Sequence, residues 1–177
     1  MANEETFKVD MDLYSIDKLM HETRQLAAKY REATGSTLPI TGEIARFDAA
    51  RALNLSLIND PNSPIDATGK EGHRQDKRII IKGRAIFDSS KASPRIGQLN
   101  PEQDWDLAVL VLFDEHYDVD EIYEASREAI ADALDNKKDS NRKKRGAMSI
   151  AQFKIIGERV WTRENGVETD VWENQDD

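Results

Sequence analysis

The chain has 177 residues, a third of them charged, and a formal net charge of −9. That length suits one domain with a sizeable core, and nowhere does the 38% hydrophobic content gather into a run able to span a bilayer, which argues for a soluble protein with no membrane partner. The absence of cysteine excludes disulfides, thiolate zinc sites and cysteine nucleophiles, and three scattered histidines argue against a histidine-rich metal site.

The start, Met1-Ala2-Asn3-Glu4-Glu5, is acidic and lacks the apolar stretch of a secretory signal, so a cytoplasmic location is expected. Apolar residues near helical spacing predict a first helix over about 13–33, capped by Asp12 or Ser15 and ended by Thr34-Gly35-Ser36. A second helix fits Thr41 to Leu53, with Thr41 or Gly42 as its cap and Ile44, Ala45 and Ala49 toward a core. Glu43 falls in its first turn, where the helix dipole favours a carboxylate without any functional reason. A short strand over Leu55 to Ile58 leads through the turn Asn59 to Pro64 into Pro64-Ile65-Asp66. Gly69 and Gly72 then permit a reversal into Arg78-Ile79-Ile80-Ile81-Lys82-Gly83-Arg84. Alternation along that strand turns Ile79 and Ile81 one way and Arg78, Ile80, Lys82 and Arg84 the other.

Ala85 to Glu102 reads as a polar loop. Leu107 to Phe113 is almost continuously apolar, as expected of a central strand covered on both faces. Val119 to Tyr123 is a further short strand, after which Ser126 caps a helix to about Leu134. A last helix over about 148–157 is capped by Ser149, with Val160-Trp161 packing on its end, and residues 164–177 form an acidic tail, either weakly ordered or an edge strand. The order predicts an α/β or α+β fold, a central mixed β-sheet flanked by helices, in a single domain over residues 1–163.

The acidic balance argues against nucleic acid as a partner, but its distribution argues less. Between Lys70 and Arg95 eight basic residues face three acidic ones, a local excess of +5. A second basic run, Lys137-Lys138 and Arg142 to Arg145, is interrupted among charged residues only by Asp139, and a solvated surface explains it as well as a binding role does.

The hairpin brings Asp66 and Lys82 together. A carboxylate beside a lysine at a sheet edge is a minimal kit for holding a divalent cation and orienting an attacking water on a phosphodiester. The plain alternative is a cross-strand ion pair contributing a few tenths to about 1 kcal/mol. His73, in the turn, suits a solvent-facing residue or a phosphate contact better than a general base. Trp105, Trp161 and Trp172 suit packing better than base stacking, because they are not clustered with the basic strand.

Taken in order, the helix beginning Gly42-Glu43, the Pro64-Ile65-Asp66 strand, the strand ending Ile80-Ile81-Lys82, the apolar strand Leu107 to Phe113, and the strand and helix after it resemble the PD-(D/E)xK nuclease superfamily, the restriction-endonuclease-like fold. The resemblance covers roughly residues 41–134. It implies that Asp66 is a magnesium ligand and that Lys82 orients or deprotonates water. Where the family has its second acid, this chain has Ile80, which cannot ligate a hard cation. Two readings follow. In one, Glu43 supplies the missing carboxylate, Asp76 being a weaker substitute. The chain is then a magnesium-dependent DNA endonuclease with catalytic Asp66, Lys82 and Glu43, acting in restriction or another defence role. In the other, the domain is a catalytically inactive nucleic-acid-binding module that keeps phosphate contacts through Lys70, Arg74, Arg78 and Arg84. The acidic composition supports a third reading, an interaction or inhibitor protein whose acidic surface meets a basic partner. A homodimer stays open.

Overall fold

The structure, a computed structural model, describes residues 15–88, 94–136 and 146–168. Helix α1 (Ile16–Thr34) begins at Ser15, whose hydroxyl accepts the Lys18 N–H, and ends at Gly35 with φ +72°, a left-handed cap that glycine adopts at low cost. Helix α2 (Thr41–Ala52) starts one residue earlier than its sequence suggests: Ile40 is the cap, without a side-chain hydrogen bond, and Thr41 and Gly42 lie inside the first turn.

Seven strands form one sheet in the order β1-β2-β3-β5-β6-β8-β9. They are β1 (Leu55–Leu57), β2 (Ala67–Gly69), β3 (Arg78–Ala85), β5 (Leu107–Phe113), β6 (Val119–Ser126), β8 (Glu158–Thr162) and β9 (Gly166–Val167). All neighbours are antiparallel except β3 and β5, which run parallel from Ile79↔Leu107 to Ala85↔Phe113. The expected mixed sheet flanked by helices is therefore present. Two further strands, β4 (Arg95–Gln98) and β7 (Ala147–Ser149), pair with each other away from the main sheet.

Each face of the sheet carries its own core. Ile79, Ile81, Val109, Val111 and Phe113 pack under α1 and α2 with Ala27, Ile44, Ala45 and Ala49. Ile80, Ala108, Leu110 and Leu112 pack on the opposite face beneath α3 (Arg127–Asp135), α4 (Ile150–Ile156) and the β4–β7 pair, with Ile96, Trp105, Ile130, Met148 and Phe153. Strand β5 feeds both cores, which is why its sequence shows no polar alternation. Ser126 and Ser149 cap α3 and α4 as expected, and Ser149 forms a reciprocal capping box with Gln152.

Several expectations are corrected. The stretch 85–102 is not all loop, since β4 lies within it and buries Ile96 completely. Met148 belongs to β7 rather than to the last helix, β6 continues through Ser126, and Val160-Trp161 lies in β8, paired with β6, instead of only closing off the helix. Of the tail, Gly166–Val167 is an edge strand. The basic run Lys137 to Arg145, Asp12 and residues 169–177, Trp172 among them, lie outside the described residues. No described helix is long and apolar enough to cross a membrane.

Candidate functional site

The turn before Asp66 is built from its own polar side chains. Asp60 accepts the Asn62 N–H through its carboxylate and the Ser63 N–H through its carbonyl, and the Ser63 hydroxyl accepts the Ile65 N–H and donates to the Ile65 carbonyl. The chain thus enters the sheet with Asp66 pinned on both sides: its N–H donates to the Ile79 carbonyl at 2.9 Å and its carbonyl accepts the Ile58 N–H at 2.9 Å. Pairing of β2 with β3 runs through Ala67↔Ile79 and Thr68↔Arg78. Ile81 lies beyond that register, and its N–H donates at 2.7 Å to the Asp66 carboxylate Oδ2 instead of to a strand carbonyl. The Asp66 side chain therefore acts as the terminal rung of the ladder, bonded to the peptide nitrogen of the residue next to Lys82.

The other oxygen, Oδ1, faces α2, where the Arg46 Nε lies 3.5 Å away. Arg46 sits one helical turn after Glu43, and its Nη1 lies 3.4 and 3.5 Å from the two Glu43 carboxylate oxygens. Its Nη2 donates at 2.6 Å to the Ile58 carbonyl, and its buried Nε–H has no hydrogen-bond acceptor among the described residues. Glu43 and Asp66, on different elements, thus converge on one guanidinium. Gly83 sets how close they come: a Cβ there would meet Ala45 Cβ at 2.6 Å and the Thr41 carbonyl oxygen at 2.8 Å, so only glycine lets the first turn of α2 rest directly on β3.

Lys82 follows the alternation and lies on the face of β3 opposite α2, as Ile80 does. The cross-strand ion pair between Asp66 and Lys82 is not formed; the aspartate is satisfied by Ile81 and Arg46, and Lys82 carries no ion pair among the described residues. Ile80 is 7% exposed and packed in the second core, so no acid occupies the family's second position. Asp76 sits in the hairpin turn with φ +59°, its N–H on the Gly69 carbonyl, a turn residue remote in role from the carboxylate pair. Among the described residues no three Asp, Glu or His side chains gather to hold a metal. A divalent ion here would rest on the carboxylates of Asp66 and Glu43, with water and phosphate oxygens completing its shell, a donor set of the hard-oxygen kind that magnesium takes.

The four basic residues expected to contact phosphate differ in their commitments. The Arg74 Nε donates to Glu124, a carboxylate only 9% exposed that also meets His73 Nε2 at 2.7 Å. The Arg78 guanidinium donates to both Asp106 oxygens at 2.9 and 3.0 Å and also pairs with Asp104. Hydrogen bonds from Arg78 hold the Asp106 carboxyl down to about 2, and Arg78 is itself raised in turn. Both arginines are neutralised within the fold. The half-buried Arg84 donates to the Arg95 and Gly83 carbonyls, and burial pushes its guanidinium down. Lys70 is exposed at the hairpin turn. Trp105 is fully buried with its indole N–H on the Asn100 carbonyl, and Trp161 packs against the first core, both structural as expected. A shallow open hollow lined by Arg24, Asp118, Val119, Trp161 and Arg163 shares no residue with the Asp66 group.

Arg46 is the residue that sequence reasoning missed. Its spacing from Glu43 was visible, but nothing local ties it to Asp66, twenty positions on. No protein-family model matches the chain, and no curated protein matches it.

Proposed function

We propose that the chain is a divalent-metal-dependent endonuclease of the restriction-endonuclease-like kind, hydrolysing DNA phosphodiesters with an altered acidic set. The observation that carries this reading is the sharing of the Arg46 guanidinium by Glu43 and Asp66, since two carboxylates that converge on one cation are arranged to share another. The element order supports it as well: α2, the β2–β3 hairpin, the parallel central strand β5, its antiparallel neighbour β6 and α3 follow one another around the Asp66 group in the order that carries the family resemblance.

Asp66 and Glu43 would hold magnesium, which when bound supplies positive charge to the scissile phosphate and lowers the pKa of a coordinated water. Asp66 is well suited to this. Its ladder bond fixes the carboxylate through Oδ2, leaving Oδ1 for a ligand. Glu43, 70% exposed on the first helical turn, pays little desolvation to change partner. Lys82 carries no ion pair among the described residues, but it lies on the face of β3 away from Glu43, so in this reading its ammonium would stabilise charge on the phosphate from that side of the sheet edge and would not position the metal-bound water.

A second reading, a catalytically inactive nucleic-acid-binding module, is favoured by one observation: Ile80 is built into the second core, so the family's usual ligand position is closed to a metal. Incubating supercoiled plasmid and linear DNA with the purified chain and magnesium or manganese separates the two. Metal-dependent cleavage, lost in Asp66→Ala and Lys82→Ala, supports the enzyme. Intact DNA together with salt-dependent binding selects the module, and neither cleavage nor binding at low salt leaves only a protein partner for the acidic surface.

A further inference from the structure

We infer that Arg46 is a built-in counter-ion that holds the Glu43–Asp66 pair together in the metal-free chain and competes with the divalent cation for it. The inference rests on the metal-dependent reading above and adds a residue that neither composition nor family pattern assigns. Three observations carry it. First, the guanidinium stands between the two carboxylates, with Nη1 toward Glu43 and Nε toward Asp66. Second, both approaches are long, at 3.4 and 3.5 Å, and the buried Nε–H makes no hydrogen bond, so Arg46 is attracted to these acids without being locked to either. Third, its one short bond, from Nη2 to the Ile58 carbonyl at 2.6 Å, anchors one edge of the guanidinium to backbone and to neither carboxylate.

The charges explain why such an arrangement is useful. Two carboxylates brought together with no cation repel one another, and Glu43, on an exposed helical turn, has no other ion pair among the described residues to keep it there. One guanidinium offsets half of that charge and holds the geometry. A divalent ion entering the same space meets a like charge within a few ångström, where interactions between charges near a protein surface are worth several factors of ten in affinity. Binding therefore requires the guanidinium to swing from between the carboxylates, pivoting on the Ile58 carbonyl that Nη2 already holds. Arg46 acts in this account as a positioning residue, setting the metal concentration at which the site fills.

Calorimetric titration of manganese into the full-length chain tests this, with Arg46→Gln and Asp66→Asn measured alongside wild type. Arg46→Gln should bind manganese about tenfold more tightly or better, because the competing charge is gone while the carboxylates remain. Asp66→Asn should lose binding. Equal or weaker binding by a folded Arg46→Gln variant overturns the inference and leaves the nuclease reading standing, whereas absence of binding in wild type and Arg46→Gln alike removes both. Should Arg46→Gln fail to fold, the wild-type chain answers alone. Magnesium should move the Arg46 Nε–H resonance, assigned in the wild-type chain by through-bond correlation to its own backbone amide. A resonance unmoved under saturating magnesium overturns the inference.

Discussion

Two arginines on neighbouring elements meet carboxylates in opposite ways. Arg78 closes on Asp106 with a bidentate pair at 2.9 and 3.0 Å, adds a backbone N–H at 2.8 Å to the same carboxylate, and takes Asp104 as well. Arg46 touches Glu43 and Asp66 only at 3.4 to 3.5 Å and leaves an N–H unused. The first pair joins the start of β3 to the residues just before β5 and is complete in itself. In the second, only the backbone contacts are short, Nη2 to Ile58 and Asp66 Oδ2 to Ile81, and the contacts between charges are long. Residue type alone does not separate the two arrangements; saturation of the hydrogen bonds does.

The sharpest way to break that comparison is at Asp66. Asp66→Ala should abolish metal-dependent cleavage and also destabilise the chain by about 1–2 kcal/mol, because the Ile81 N–H loses its acceptor. Asp66→Asn keeps a carbonyl oxygen for that N–H, so it should recover most of the stability in a urea titration while staying inactive. If Asn restores activity as well, Asp66 is only a ladder rung. Next in size is Gly83→Ala, which forces α2 off β3 at a cost of roughly 1–3 kcal/mol. It should weaken manganese binding as well as lower the melting temperature, by carrying Glu43 away from Asp66. A loss of stability with unchanged manganese affinity would show that the helix seat does not set the site.

The smallest effect concerns the closed pair and its pH dependence. The Asp106 carboxyl is held at about 2, below the value of roughly 4 for an unfolded aspartate. Its contribution to stability is therefore fully present above pH ~4 and lost as the pH falls through about 2. Urea midpoints measured between those values should fall with acid in wild type and fall less steeply in Asp106→Asn, with cleavage at neutral pH unaffected. Parallel slopes for the two proteins would mean that Arg78 gains nothing from its saturated contact.

The strong periodicities were legible without coordinates. The apolar run Leu107 to Phe113 announced a strand feeding two cores, and alternation along β3 separated Ile79 and Ile81 from Ile80 and Lys82. Short strands were not. Strand β4 turns a single large apolar residue, Ile96, inward and carries Gly97 at φ +88°, so it reads as loop until β7 arrives from fifty residues away. Strand β8 was hidden because it buries only Val160 and Thr162, and its partner β6 is supplied by the fold. The site divides along the same line. Asp66, Lys82 and Glu43 were candidates from residue type and order, but the in-plane role of the Asp66 carboxylate and the Arg46 bridge depend on where β2 stops pairing with β3, which no local pattern states.

That stopping point also gives the protein a natural probe. Because one peptide N–H, that of Ile81, is bonded to the Asp66 carboxylate, anything that draws electron density from that carboxylate weakens the bond. Charge arriving at the site should therefore register as an upfield proton shift and faster solvent exchange of a single backbone amide, so that occupancy can be followed without a dye, a label on the ligand or turnover.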